Sequence, residues 1–172
     1  VVLMTFHGSP NHSHAVQAGV RLLERRGVQT LAPLNVLLNE LLTTTDGAAY
    51  AGAFAHVEDP VVRAALVAEL PRDFHAGFFE TSLSLHYAPH TVSDVRRELP
   101  PCPPIRPAGG LSLAARLAGA VGARGLSRDL AFAAVGAGWY ALRPFPGYTG
   151  RPALASASAG AFFAKEIVVF LL

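Results

Sequence analysis

Apolar runs and polar breaks alternate along the chain in a way that predicts strands and helices in turn. The chain opens on an apolar run, residues 1–7, whose β-branched side chains predict a buried parallel strand. A helical apolar period follows over about residues 13–26, and Gly27 stands where a helix C-cap belongs. Residues 28–36 predict a second strand, although Pro33 limits its length. Strand, helix and strand in this order are typical of a layered α/β domain.

The rest of the chain predicts helices that are separated by loops rich in proline and glycine. Pro60 stands at a first helical position, which favours a helix start there. The segment from Glu98 to Gly110 predicts a long irregular connection within one domain. Helices are expected over residues 37–42, 60–70, 76–88, 111–123 and 153–172, and a strand or buried helix over 131–142.

Composition narrows the class of protein. Hydrophobic residues make up 51% of the 172 positions and charged residues 15%, which excludes a disordered chain or a coiled coil. Cys102 is the single cysteine, so an internal disulfide is excluded and a reducing compartment is expected. A net charge of +2 is too small for a nucleic-acid surface, and no apolar run reaches the roughly 20 residues of a membrane span. We therefore expect a soluble, cytoplasmic protein that acts on a small molecule.

Both ends of the sequence are apolar, at residues 1–6 and at residues 167–172. Domains usually begin and end at exposed polar segments. The pattern therefore indicates either a buried first strand with a docked last helix, or a piece of a longer domain. We expect a single domain over residues 1–172 that lacks its N-terminal part.

One candidate for chemistry lies at the end of the first predicted strand. In an open α/β sheet, ligands bind beyond the carboxyl ends of the strands. His7 ends the strand, and Gly8 after it allows a close approach of backbone or ligand. His12 lies at the start of the next helix, faces the same loop and is a candidate for a supporting role. A hydrogen-bonded turn histidine is the alternative interpretation of His7.

A second group of polar residues spans residues 73–82. Asp73 stands where the carboxylate of a helix N-cap is favoured. His75 and Glu80 are five positions apart, so both reach one site if His75 lies in the turn and Glu80 in the helix. Imidazole and carboxylate groups bind Zn²⁺ or Mn²⁺, and either group can serve as an acid or a base. The alternatives are a plain cap for Asp73 and a solvated helix carboxylate for Glu80.

This segment resembles a family signature. His75-Ala76-Gly77, followed two residues later by Glu80-Thr81-Ser82, is similar to the HAG-x-x-ETS motif of the creatininase (creatinine amidohydrolase) family. The segment around His7, with Asn11, is similar to the family's NGHGGN segment, although Thr5-Phe6 replaces Asn-Gly.

A third segment of the chain also resembles the family. Gly150-Arg151-Pro152, with Ala155-Ser156 after it, is similar to the family's GDPxxAS segment. Arg151 replaces the acidic residue of that segment, and Ser158 replaces its glutamate. The three segments occur in the family's order and together cover nearly the whole chain.

The resemblance implies a three-layer α/β/α fold with a mostly parallel central sheet. It also implies a metal-dependent hydrolase of a non-peptide or cyclic amide C–N bond, with two divalent ions (Zn, Mn or Fe) per complete site, in a homo-oligomer such as a hexamer. The catalytic residues that the resemblance implies are His75, as the proton shuttle or substrate-orienting residue, and Asp73, at the pocket wall. The remaining residues that the resemblance assigns are the metal ligands His7 and Glu80 and the substrate-binding Gly8, Gly77 and Ser82.

Two alternatives remain open beside the amidohydrolase. The family's Glu-x-His pair and bridging Asp, expected before the His7 segment, have no counterpart in the sequence. The missing residues, together with the substitutions at Thr5, Phe6, Arg151 and Ser158, favour a non-catalytic relative that keeps the fold. The opening strand with His7-Gly8-Ser9 is also similar to small tetrapyrrole metal chelatases, which do not explain residues 75–82. A GxSxG nucleophile motif does not occur.

Overall fold

The computed structural model describes residues 1–5, 10–32 and 47–171. Helices predominate in these ranges. The α-helices are α1 (Pro10–Glu24), α2 (Pro60–Glu69), α3 (Phe78–Tyr87), α4 (Gly109–Ala120), α5 (Arg124–Tyr140) and α6 (Ala157–Leu171). Short 3₁₀-helices span Gly47–Phe54, Leu70–Arg72, Pro89–Thr91, Asp94–Glu98 and Pro152–Leu154.

The two predicted N-terminal strands meet in a single parallel bridge between Val2 and Leu31. Leu3 donates its N–H to the Leu31 carbonyl at 2.8 Å, and Leu31 donates to the Val1 carbonyl at 2.9 Å. The predicted burial of the first strand is wrong at Val1, Val2 and Met4, which are 64%, 56% and 63% exposed. One bridge pairs backbone groups without burying the side chains around them. The central sheet that the resemblance implies is thus not confirmed in the described ranges.

Gly27 ends the first helix as its position predicts. Its φ of +76° is a left-handed conformation that glycine adopts without strain. Gly27 donates its N–H to the Glu24 carbonyl at 2.9 Å, and Val28 donates to the Leu23 carbonyl at 3.0 Å. These two bonds form a Schellman motif, which satisfies carbonyls that the helix end leaves without intrahelical partners.

The hydrophobic core lies mainly between α3 and α6. Phe79 of α3 meets Phe163 of α6 edge to face, with ring centroids 4.9 Å apart. Phe78 stacks on Phe54 at 5.3 Å. Each fully buried side chain of this size stabilises the fold by about 1.5–3 kcal/mol. The buried cluster comprises Ala53, Phe54, Val57, Leu66, Leu70, Phe78, Phe79, Leu83, Ala155, Ala159, Phe163 and Ala164.

The chain divides into two compact units, one of Val1–Cys102 with Tyr148–Leu172, the other of Pro103–Gly147. The second unit holds the helical hairpin of α4 and α5, in which Ser127 donates its hydroxyl to the Ala115 carbonyl at 2.8 Å. The ambiguous pattern over residues 131–142 belongs to α5, so the helical alternative is confirmed. The irregular connection is confirmed over residues 99–108. The expectation of a single domain stays a prediction.

The C-terminal segment starts its long helix later than the sequence pattern predicts. A 3₁₀-turn precedes α6, and the Ser156 hydroxyl oxygen accepts the N–H of Ala159 at 3.1 Å, as an N-cap does. Among the helices of the described ranges, none combines the length and the apolar character that crossing a bilayer requires.

Candidate functional site

Asp73 organises the junction that leads into α3. Only 4% of its surface is exposed, and its Oδ2 accepts the N–H of Phe79 at 2.8 Å. The N-cap position itself belongs to Gly77, which has no side chain to make that bond. A Cβ on Gly77 would overlap the Asp73 carboxylate. The sequence therefore divides the cap between two residues, a glycine that provides the space and an aspartate four positions earlier that provides the oxygen.

Thr149 ties this junction to the segment before α6. Its side chain is fully buried, and its Oγ1 accepts the N–H of His75 at 3.0 Å. Its own N–H donates to the His75 carbonyl at 2.8 Å. The Thr149 hydroxyl can donate its one proton either to the His75 carbonyl, 3.1 Å away, or to Asp73 Oδ1, 3.4 Å away. Thr149 is not among the residues that the sequence predicts for the site, and its only sequence signal is its place beside Gly150.

Burial changes the acidity of Asp73. The pKa of this carboxyl is raised to about 7, mainly by the loss of solvent on burial and to a smaller extent by the nearby charge of Glu80. The bonds from the Phe79 N–H and from Thr149 act in the opposite direction. The result is a carboxyl group that changes its protonation state near neutral pH, a property that is enriched at functional sites.

His75 and Glu80 lie at the same turn-to-helix junction, as their spacing predicts. Glu80 Oε2 accepts the N–H of Ala76 at 2.6 Å, which ties the first turn of α3 to the residue beside His75. Ala76 has a φ of +46°, an uncommon conformation for a residue with a side chain. Thr81 donates its hydroxyl to the Ala76 carbonyl at 3.3 Å, which holds this conformation in place. The His75 side chain is exposed, so a ligand can reach it.

Ser82 lies in the core rather than on the surface. It is fully buried, and its Oγ accepts the N–H of Ser156 at 3.2 Å. A Cβ on Gly160 would overlap the Ser82 carbonyl, so α3 and α6 approach closely at this point. The substrate-binding roles assigned to Ser82 and to Gly77 stay predictions, because the described contacts of both residues are with the protein itself.

The described residues alone do not form a metal centre. They contain no group of three or more His, Cys, Asp or Glu side chains placed to hold an ion. The Asp73 carboxylate accepts bonds from the protein, and Glu80 gives one oxygen to Ala76. The predicted ligand His7 and the neighbouring Gly8 lie outside the described residues. The metal-ligand roles of His7 and Glu80 stay predictions.

Comparison with known proteins decides the family. The sequence model of the family described as "Creatininase: Creatinine amidohydrolase" matches residues 1–171. The chain belongs to the creatininase family. The family resemblance carried by residues 75–82 is thus confirmed, and membership of the creatininase family indicates an amidohydrolase with an α/β fold. Nothing in this match supports the chelatase alternative. Neither the curated proteins nor the solved structures gave a match.

The creatininase-family segment that begins at Gly150 carries a charge substitution with a local partner. Arg151 binds Glu69 through two hydrogen bonds, from Nε and from Nη2, each 2.9 Å long. The hydrogen bond to Glu69 raises the pKa of the Arg151 guanidinium. Gly150 next to it has a φ of +60°, and a Cβ there would lie 2.9 Å from Asp73 Oδ1. The substitution at residue 151 is therefore compatible with a segment that still packs against Asp73.

Proposed function

We propose that this chain is a metal-dependent amidohydrolase that cleaves a non-peptide or cyclic amide C–N bond. The observation that carries the proposal is the junction at residues 73–80, in a chain of the creatininase family. There a buried carboxyl with a pKa of about 7, an exposed histidine and a helix carboxylate are held together by backbone hydrogen bonds. Such a set can bind a small polar substrate and move protons at neutral pH.

His75 has the role of proton transfer in this proposal. Hydrolysis of an amide requires a proton on the leaving nitrogen, and histidine is the side chain that most often supplies one in enzymes. Thr149 fixes the backbone of His75 on both its N–H and its carbonyl, which limits where the ring can move. Such positioning contributes to catalysis because it is in place before the substrate binds.

Asp73 acts through the structure around His75. Its carboxyl fixes the start of α3 through the Phe79 N–H and lies 3.4 Å from the Thr149 hydroxyl, which contacts His75. Creatininase-family members are generally metal-dependent, and in this proposal His7 and Glu80 belong to the ligand set for Zn, Mn or Fe. A divalent ion in such a site supplies polarisation of the substrate carbonyl and activation of a water molecule.

The test combines metal analysis with hydrolysis of creatinine and a panel of cyclic amides. The purified protein should contain near-stoichiometric Zn, Mn or Fe, and the His7→Ala, Glu80→Ala double variant should lose it. His75→Asn should lower kcat by about 10²–10⁴-fold. His90→Asn is the matched control, since His90 is an exposed histidine of the Pro89–Thr91 turn outside this junction. Protein without bound metal that hydrolyses no amide, while its fold is intact, would contradict the proposal and leave a non-catalytic relative.

A further inference from the structure

Ser156 and His56 form a chain of hydrogen bonds that ends on a backbone carbonyl. The Ser156 Oγ lies 3.3 Å from His56 Nδ1, and His56 Nε2 lies 2.8 Å from the Leu154 carbonyl oxygen. The serine and the histidine are 100 positions apart in the sequence, so the fold brings them together. The amidohydrolase proposed above assigns a chemical role to neither side chain, although Ser156 stands in the segment similar to the family's GDPxxAS motif.

The Leu154 carbonyl determines which nitrogen of the ring carries the proton. A carbonyl oxygen only accepts hydrogen bonds, so His56 Nε2 must be the donor in the 2.8 Å contact. In the neutral ring this leaves Nδ1 as an acceptor, directed at the Ser156 hydroxyl. The ring is oriented further by stacking on buried Phe78, with centroids 6.0 Å apart and planes 6° from parallel. His56 is thus held as a base toward Ser156.

The Ser156 oxygen is also surrounded by donors. It accepts the N–H of Ala159 at 3.1 Å, and the Ser158 hydroxyl lies 3.0 Å away, where it can donate a second bond. The oxygen stands at the N-terminus of α6, a helix of 15 residues, whose dipole favours negative charge at that end. Two donors, a helix dipole and one acceptor for its proton are the surroundings that make a serine hydroxyl nucleophilic.

The pair opens onto a groove in the first unit. The groove has a volume of about 730 Å³, and His56, Leu154 and Ser156 are among the residues that line it. Val57, Val62 and Leu85 give it an apolar wall, and the charged residues of its lining are Glu58, Asp59, Arg96 and Arg97. The Ala155 carbonyl next to Ser156 accepts a 3.1 Å bond from Arg96, which fixes the backbone there. A nucleophile beside an apolar wall suits a substrate with a short apolar acyl group.

We propose that Ser156 and His56 form a nucleophilic site for carboxylic esters with a short apolar acyl chain. The Ser156 oxygen bonds to the ester carbonyl carbon while its proton passes to His56 Nδ1. The bond between that carbon and the alcohol oxygen then breaks, and the alcohol leaves with the proton from His56. Water attacks the acyl-serine and gives its proton to His56. The acyl–oxygen bond breaks, the carboxylic acid leaves, and the serine regains its proton.

A fluorophosphonate probe tests for the nucleophile directly, because it forms a stable bond only with an activated serine. We expect one adduct per chain, and peptide mass mapping should place it on Ser156. His56→Gln should slow the labelling by about 100-fold, since it removes the base. Absence of an adduct on Ser156 in folded protein, or an unchanged rate in His56→Gln, would overturn the proposal.

A capping variant separates chemistry from stability. Ser156→Asn keeps an N-cap side chain at α6 and removes the hydroxyl, so circular dichroism should show an intact fold while hydrolysis of p-nitrophenyl butyrate falls at least 100-fold. Ser93→Asn is the matched control, because Ser93 is also an N-cap serine, with its Oγ 3.3 Å from the Val95 N–H, and it does not line the groove. If the folded Ser156→Asn variant hydrolyses the ester as fast as the parent protein, Ser156 is not the nucleophile. Because creatinine hydrolysis depends on His75, it should stay unchanged in Ser156→Asn, so the two proposals fail separately.

Discussion

Gly77 is the residue on which the junction before α3 depends most directly. A Cβ there would overlap Asp73 Oδ1 and come 2.6 Å from the Thr149 carbonyl oxygen, so neither neighbour has room to stay in place. We expect Gly77→Ala to lower the free energy of unfolding by about 1–3 kcal/mol, measured by urea denaturation. Gly136→Ala is the control, because Gly136 lies inside α5 with open space around its Cβ position. That change should raise stability by about 0.5–1 kcal/mol, and equal effects of the two substitutions would contradict the account.

Asp73 makes stability depend on pH with a defined sign. Its pKa rises from 3.8 to about 7 on folding, so between these values the folded protein holds a proton that the unfolded chain has lost. Protonated Asp73 therefore contributes up to about 4 kcal/mol to the free energy of unfolding. This contribution is fully present below about pH 4 and is lost as the pH rises to about 7. Asp73→Asn keeps an oxygen for the Phe79 N–H and cannot titrate. In the presence of a chelator, we expect the free energy of unfolding of the parent protein to fall relative to that of Asp73→Asn between about pH 4 and pH 7. If the two proteins show parallel curves of stability against pH, the titration of Asp73 does not affect stability.

At the scale of elements, sequence patterns succeed where the signal is local. Gly27 ends α1 and Pro60 starts α2, because caps and fixed backbone angles act within a few residues. The start of α3 lies two residues later than the pattern predicts, since its cap comes from Asp73 across Gly77. The pairing of Asp73 with Thr149 joins residues 76 positions apart, and periodicity carries no information on such contacts. The family signature at residues 75–82 could therefore be found from the sequence, but not the tertiary contacts around it.

The ion pair between Arg151 and Glu69 links the end of α2 to the turn before α6. It has two hydrogen bonds, and its side chains are 23% and 39% exposed. A double-mutant cycle with Arg151→Ala and Glu69→Ala should give a coupling of about 1 kcal/mol that shrinks with added salt. The Arg97–Asp94 pair is the control, because its side chains are 69% and 88% exposed at 3.2 Å. Its coupling should be near zero, and equal coupling for both pairs would rule out a special role for Arg151.

At the scale of the whole molecule, the two compact units differ in how their helices are packed. The buried cluster around α3 and α6 contains large side chains, among them Phe78, Phe79 and Phe163, whereas the buried hydrophobic residues described in α4 and α5 are three alanines (Ala115, Ala118 and Ala134) and a single aromatic residue, Trp139. Small side chains bury little area, and local opening is easiest where few apolar contacts hold an element. We expect native-state hydrogen exchange to show faster exchange in α4 and α5 than in α3 and α6.

A variant makes this comparison specific to the packing of each unit. In Gly160→Ala the added Cβ would overlap the Ser82 carbonyl, so exchange should accelerate in α3 and α6 while the rates of α4 and α5 stay as they were. Mass spectrometry of peptic peptides resolves the four helices separately. If α4 and α5 are as well protected as α3 in the parent protein, or if Gly160→Ala accelerates all four helices equally, the molecule opens as one cooperative body and the difference in packing has no effect on its dynamics.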